Sequence, residues 1–261
     1  AVQPGASGTA VTRNRLARLN ADGSVDSNYN PTPNAQVASL ALQSDGKLLI
    51  GGSFTTFQPN GTSATTTRNY LARLNTDGTV DTFDPGPNGT PNVITVLTDG
   101  KILLGGGFTF FTPNAGSNST GRAYSARLNT DGTVDTSWEP NLNGNVLSQV
   151  VQADGKIVIA GAFTALQPKT DTDFTTRYYI ARLNADSSVD TAYNPRASAQ
   201  INSIAIQSDG KIIAGGQFSF FRKGDVLANN VDINRIARLN TDGSVDTAFN
   251  PNAGGQVNCL T

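Results

Sequence analysis

The chain has no histidine and no methionine, and only one cysteine, one tryptophan and one glutamate in 261 residues. Each shortage closes off a kind of chemistry. Without histidine there is no Ser-His-Asp or Cys-His arrangement, and the commonest zinc ligand is missing. A lone Cys259 forms no internal disulfide. It falls in the same repeat column as Ser39 and Ser203, which predicts a small, half-buried residue. Glu139 stands alone, whereas glycoside hydrolysis usually takes two carboxylates at a set separation. Charge is scarce as well, with 15% charged residues and a net charge of -1. No basic stripe or acidic tail is present, so nucleic acid is not an expected partner. No apolar run approaches the roughly 18 residues of a membrane span, so no membrane insertion is expected.

What is present is periodic. The phrase Arg-Leu-Asn-x-Asp-x-x-Val-Asp starts at Arg18, Arg73, Arg127, Arg182 and Arg238, in steps of 55, 54, 55 and 56 residues. A regular period of this size signals a repeat architecture. A second phrase, Asp-Gly-Lys followed by an apolar run and Gly-x-Phe, interleaves with it at Asp45, Asp99, Asp154 and Asp209. Asp-Gly between apolar, β-branched runs is a strong hairpin signal, and no stretch carries a helical period. Each unit therefore reads as two hairpins, or four short strands. The class is all-β, and four strands per unit at this spacing predict the blades of a β-propeller.

The second hairpin can be registered from its residues. A three-residue loop over Thr76-Asp77-Gly78, with Gly78 left-handed, sets Asn75 opposite Thr79, Leu74 opposite Val80 and Arg73 opposite Asp81. A two-residue loop would set Leu74 opposite Asp81 instead. The fourth unit has Ser187 where the others have glycine, so Ser187 is expected to carry positive-φ strain.

The ends fall inside the repeat. Residues 1–16 align with 56–71, and Val257–Thr261 aligns with Val37–Ala41. Closing a fifth unit takes about 14 more residues, the length of Leu42 to Thr55. Two expectations follow: a single propeller domain over 1–261 that is a window from a longer chain, or a five-blade ring sharing its last blade between the termini.

Arg18–Asp26, Arg73–Asp81, Arg127–Asp135, Arg182–Asp190 and Arg238–Asp246 are expected as structural ion pairs across the second hairpin, an Arg fork matching a carboxylate. Arg13, Arg68, Arg122 and Arg177 recur five positions upstream and are expected to anchor the long loops. The lysine of each Asp-Gly-Lys turn is expected to be solvated. Long, dissimilar loops at Thr56–Thr67, Phe110–Gly121, Ala165–Thr176 and Ser219–Asp232 are where a propeller would present variable chemistry. The apolar starts of these loops, Phe57, Phe110, Phe111, Leu166, Phe220 and Phe221, are expected to pack between blades; the alternative is a binding face on which they and Tyr178 are exposed. Asp171 and Asp173 form a calcium candidate, but no twelve-residue loop with a terminal glutamate follows them. No other cofactor is expected, and no catalytic residue is assigned.

The unit Gln-Ser-Asp-Gly-Lys-x-x-x-Gly-Gly-x-Phe, then Ile/Leu-Ala-Arg-Leu-Asn-x-Asp-Gly-Ser-Val-Asp-x-x-Phe-Asn-Pro, resembles the delta-60 repeat along essentially the whole chain. Departures are local: Thr82-Phe83-Asp84-Pro85 shortens one unit end, Trp138-Glu139-Pro140 replaces Phe-Asn-Pro, and Ser187 replaces glycine. The resemblance implies a β-propeller in large secreted or surface proteins of bacteria, with no settled activity. Together with abundant Asn, Thr, Ser and Gly, it leads to an extracellular or cell-surface location. The expected function is a non-catalytic binding or adhesion module whose long-loop face engages carbohydrate or protein. The alternative is a structural spacer or filament component whose partners are neighbouring copies or domains. A carbohydrate-active enzyme is the distant alternative.

Overall fold

The computed structural model describes residues 11–169, 171–224 and 230–261. The first ten residues, whose alignment with the loop after Thr56 was expected, and part of the fourth long loop lie outside the described residues. The chain divides into two compact units. One comprises Ala1–Leu103, Phe108–Gly121 and Leu128–Val134; the other comprises Leu104–Gly107, Arg122–Arg127 and Asp135–Thr261.

The strands repeat with the sequence. The first complete repeat supplies β1 (Val37–Leu42), β2 (Leu48–Gly52), β3 (Thr56–Phe57), β4 (Thr66–Thr67) and β5 (Leu71–Leu74). The second supplies β6 (Pro91–Val96), β7 (Ile102–Gly106), β8 (Phe110–Phe111), β9 (Thr120–Gly121) and β10 (Ser125–Leu128). The third supplies β11 (Val146–Val151), β12 (Ile157–Gly161), β13 (Ala165–Leu166), β14 (Thr175–Thr176) and β15 (Ile180–Leu183). The fourth supplies β16 (Pro195–Ala197), β17 (Ile201–Ile206), β18 (Ile212–Gly216), β19 (Phe220–Lys223), β20 (Asn230–Asp232) and β21 (Ile236–Leu239).

Strands run in meander order, β1-β2-β5, β11-β12-β15 and β17-β18-β21, each pair antiparallel. The expected fourth strand is reduced to one bridge per blade: Leu74 to Val80, Leu183 to Val189, and Leu239 to Val245. The cause is local. Asp81 turns its carboxylate back onto the amide of Phe83, at 2.9 Å, and that turn ends the pairing.

The hairpin register is the one read from the residues. Asn75 N donates to Thr79 O at 2.9 Å, Leu74 bridges Val80, and Asp81 N donates to Arg73 O at 2.9 Å. Gly78 sits at φ 83, and Ser187 takes the same left-handed place at φ 73. The Asp-Gly-Lys hairpin closes the same way, with Gln43 N donating to Lys47 O at 2.9 Å around Gly46 at φ 81.

Two packing devices fix these sheets. The first is an aromatic pair at the start of three of the four long loops: Phe54 with Phe57, Phe108 with Phe111, and Phe218 with Phe221, edge to face at 4.7 to 4.9 Å. The second is an inner strand packed on the next one. Ser39 Oγ donates to Pro91 O at 3.0 Å, and a Cβ on Gly51 would stand only 2.8 Å from that same oxygen. Glycine at position 51 is therefore what lets β6 approach β2. The core of the first unit gathers Tyr29, Ile50, Phe54, Phe57, Ala72 and Leu74. That of the second gathers Ile180, Tyr193, Ile201, Phe218, Phe221 and Leu239 among others.

Candidate functional site

The repeated charges form a structural cluster. In the first complete blade, Asp81 accepts from Arg73 at 2.8 Å, from Lys47 at 2.7 Å and from the Phe83 amide at 2.9 Å. Burial by itself would raise this carboxyl, but the three donors outweigh it and bring the pKa down from 3.8 to about 2. Asp190 with Lys156 and Arg182, and Asp246 with Lys211 and Arg238, repeat the arrangement at 2.7 to 2.9 Å. The lysine of the Asp-Gly-Lys turn is thus only partly solvated, and it is paired rather than free as its turn position suggested. It crosses its own sheet to the carboxylate 34 residues on.

The arginine does more than pair. Its guanidinium lies over the aromatic ring of its own unit: Arg18 over Tyr29 at 4.2 Å, Arg73 over Phe83 at 4.6 Å, Arg182 over Tyr193 at 4.2 Å, and Arg238 over Phe249 at 4.6 Å. It also reaches into the next unit. Arg73 donates to Thr130 O at 2.9 Å, Arg127 to Ala185 O at 3.1 Å, and Arg182 to Thr241 O at 2.7 Å. The other recurrent arginine holds the end of the same hairpin. Arg68 donates to Phe83 O at 3.1 Å and to Asp81 O at 2.9 Å. The fifth unit has buried Ile233 in that column.

The candidate site residues divide between core and surface. Phe57, Phe111 and Phe221 are fully buried in the edge-to-face pairs above, as the packing reading expected, and not on a presenting face. Phe220 is half-buried, and Tyr178 is half-buried beneath the guanidinium of Arg196 at 4.0 Å. Phe110 is exposed. Asp171 and Asp173 are exposed, and no group of three metal-ligating side chains occurs among the described residues. Cys259 is exposed.

Two carboxyls depart from the repeated pattern. Asp84 and Glu139 occupy the column where other units have Asn30, Asn194 and Asn250. Glu139 pairs with Arg122 at 3.2 Å, whereas Asp84 is held less closely. Asp84 lines a cleft of about 770 Å³ in the first unit, with Arg68, Tyr70, Asn88, Phe110 and Thr112 around it. The size suits a small-molecule site. Arg68 Nη1 stands 3.7 Å from the Asp84 carboxylate, too far for a hydrogen bond, and both side chains are mostly buried. Burial pushes this carboxyl up from its ordinary value, while the Arg68 charge pulls it partly back. Gly86 shapes the floor at φ 58, where a Cβ would meet Thr112 O at 2.3 Å. Tyr70 is left-handed at φ 62, but so are Arg15, Tyr124, Tyr179 and Arg235 in the same column, so that strain belongs to the fold. Sequence reasoning passed over Asp84, treating it as a shortened unit end. The usable signal was a titratable residue breaking a repeated amide column.

The family model described as "Domain of unknown function (DUF5122) beta-propeller" matches residues 5–29, 43–83, 97–137, 152–193 and 207–249. The chain belongs to this family. No curated protein sequence matches it. A protein of unknown function from Bacteroides caccae is similar in structure, at 12% identity and TM-score 0.44, covering 88% of this chain and 72% of that one. So is a gluconolactonase from Xanthomonas campestris, at 12% identity and TM-score 0.46, covering 89% and 67%. A virginiamycin B lyase from Staphylococcus aureus is similar at 13% identity and TM-score 0.42, covering 82% and 69%. At these identities the likeness speaks to fold alone. It nonetheless corrects the expectation of a non-catalytic binding or adhesion module. Two of the similar structures are enzymes by name, a gluconolactonase and a lyase.

Proposed function

We propose that the cleft of the first unit is a reaction site in which Asp84 serves as general acid or base on a small polar substrate. The observation that carries this is the state of its carboxyl. It lies in a cleft, is raised by burial, and accepts no hydrogen bond among the described residues. A perturbed, unsaturated carboxyl in a cleft is the usual mark of acid–base work. Arg68 is the positioning residue: its bonds to Phe83 O and Asp81 O fix the turn that carries Asp84. The hydroxyls of Thr66, Tyr70 and Thr112 and the exposed ring of Phe110 suit a molecule bearing carbonyl or hydroxyl oxygens with one apolar side. Composition and repeat type favour an extracellular setting for this chemistry, with the likeness to the delta-60 repeat pointing the same way.

The test is turnover of a panel of chromogenic esters by the whole chain and by Asp84→Asn. Loss of about 100-fold or more in rate on replacement, with an acidic limb set above the ordinary aspartate range, is the expected result. Equal rates for the two proteins would remove Asp84 from the chemistry. Asparagine is the repeat's own residue at this position, so the variant is expected to fold.

A further inference from the structure

The fourth repeat departs from the others at positions that come together in space. In the column after the proline, Thr32, Gly86, Asn141 and Asn252 all sit at positive φ, between 44 and 58. Arg196 stands there in the fourth repeat and is extended in β16, which pairs with β19. Across that pair, Gln58, Thr112 and Gln167 of the other repeats give way to Arg222. Arg196 and Arg222 are direct partners in the register. Their neutral equivalents face each other in the same way: the Gln58 amide donates to Thr32 O, the Thr112 amide to Gly86 O, and the Gln167 amide to Asn141 O. The third departure is Tyr178, where other units have Asn14, Asn69, Ala123 and Asn234. The Arg196 guanidinium lies over its ring at 4.0 Å.

Like charges directly opposite each other on a sheet destabilise it. The blade does not require them here, since three other pairs close the same place without charge. The repulsion is not answered at Arg222, which forms no ion pair among the described residues and whose Nε is buried without a hydrogen-bond partner. Lys223 beside it takes Asp242 at 2.7 Å. Asp232, diagonal to Arg222 on the same face, is exposed and pairs with neither arginine among the described residues. Two guanidinium forks on one sheet face suit an oxyanion, which each can hold through parallel N–H donors. The Tyr178 ring keeps one fork in place. We propose that Arg196, Arg222 and Tyr178 form a binding site for the carboxylate, sulfate or phosphate group of a small molecule. The site belongs to the second compact unit, whereas Asp84 belongs to the first, and it stands whether or not the Asp84 cleft is catalytic.

The probes are sulfate, inorganic phosphate and glucuronate, with glucose as the neutral control, each titrated into the whole chain at about 0.15 M chloride. Calorimetry gives affinity, and NMR of the arginine Nε–H groups reports on Arg196 and Arg222. The expected result is saturable one-to-one binding of at least one oxyanion that moves both Nε–H signals, with glucose inert. The tightest of the three identifies the group. Arg222→Gln places the residue of two other repeats in this column, so the variant is expected to fold, and it is expected to weaken binding about tenfold. With no anion present it is expected to melt no lower than the parent chain, because it removes a repulsion. Tyr178→Asn, again a residue of other repeats in its column, is expected to weaken binding about threefold. Failure of all three oxyanions to saturate the chain would overturn the proposal. So would equal affinity in Arg222→Gln, or a melting temperature lowered by that change, which would make Arg222 a structural partner.

Discussion

Asp81 and Asp84 are three positions apart, yet their carboxyls are held in opposite ways. Asp81 is saturated by Lys47, Arg73 and the Phe83 amide, and is drawn down to about 2. The Asp84 carboxylate takes no hydrogen bond among the described residues, stands off from Arg68, and is raised by burial. One belongs to a column present in every unit, and the other to a column that holds asparagine in three units, Asp84 in one and Glu139 in another. In a repeat protein this contrast is instructive. Residues that recur are explained by the blade, and residues that break the recurrence have to be explained individually.

The strongest way to break the comparison is Asp81→Ala. It strands Lys47 and Arg73 without their acceptor and is expected to cost about 3 kcal/mol in urea unfolding. Acid comes next. Because the folded pKa of Asp81 lies below the unfolded value of 3.8, its contribution is present above pH 4 or so. It is lost as the pH falls toward 2, amounting to about 2 kcal/mol in unfolding curves taken across that window. Asp84 acts with the opposite sign. Its folded value is raised, so the charged form costs stability at neutral pH; that cost shrinks as the pH falls below the raised value and is gone below the unfolded value of 3.8.

Ser187 sharpens the comparison from another side, as a departure with a structural answer. It sits buried at φ 73, and its hydroxyl accepts from the Glu139 amide at 3.1 Å, beside Trp138. Two departures separated by 48 residues therefore meet in space. Ser187→Ala keeps the backbone strain and orphans that amide, a loss of about 1 kcal/mol by thermal or urea unfolding. Ser187→Gly relieves the strain while losing the bond, so it is expected to be milder than the alanine variant. The smallest effect belongs to Asp84→Asn, which restores the repeat's own residue. It is expected to change unfolding stability at pH 7 by under about 0.5 kcal/mol, on the stabilising side, and by nothing measurable in acid.

Much of the blade was legible because its determinants are local. The pairing of Arg73 with Asp81 follows from counting across one three-residue loop, and the strain at Ser187 follows from that same loop. The contact of Lys47 with Asp81 was not legible. It requires knowing that β2 lies beside β5 with Leu48 opposite Leu74, a pairing the repeat phrase does not encode. The burial of Phe57, Phe111 and Phe221 was legible as packing of the apolar loop starts, but the exposure of the neighbouring Phe110 was not, since alternation within a two-residue strand leaves the inward side undecided. The cleft was the least legible feature. Its walls come from residues 65–70 of one loop and 110–116 of the next, which only the packed blades bring together.

The arginine that crosses to the following unit has a consequence for how such chains change over time. Its acceptor is a main-chain carbonyl, at Thr76, Thr130, Ala185 and Thr241 in turn. A main-chain acceptor is indifferent to the side chain that bears it, so any copy of the phrase can follow any other without a matched mutation. Whole units can be duplicated, deleted or exchanged between genes while every joint stays intact. Individual copies meanwhile remain free to gain a residue such as Asp84 without disturbing their neighbours.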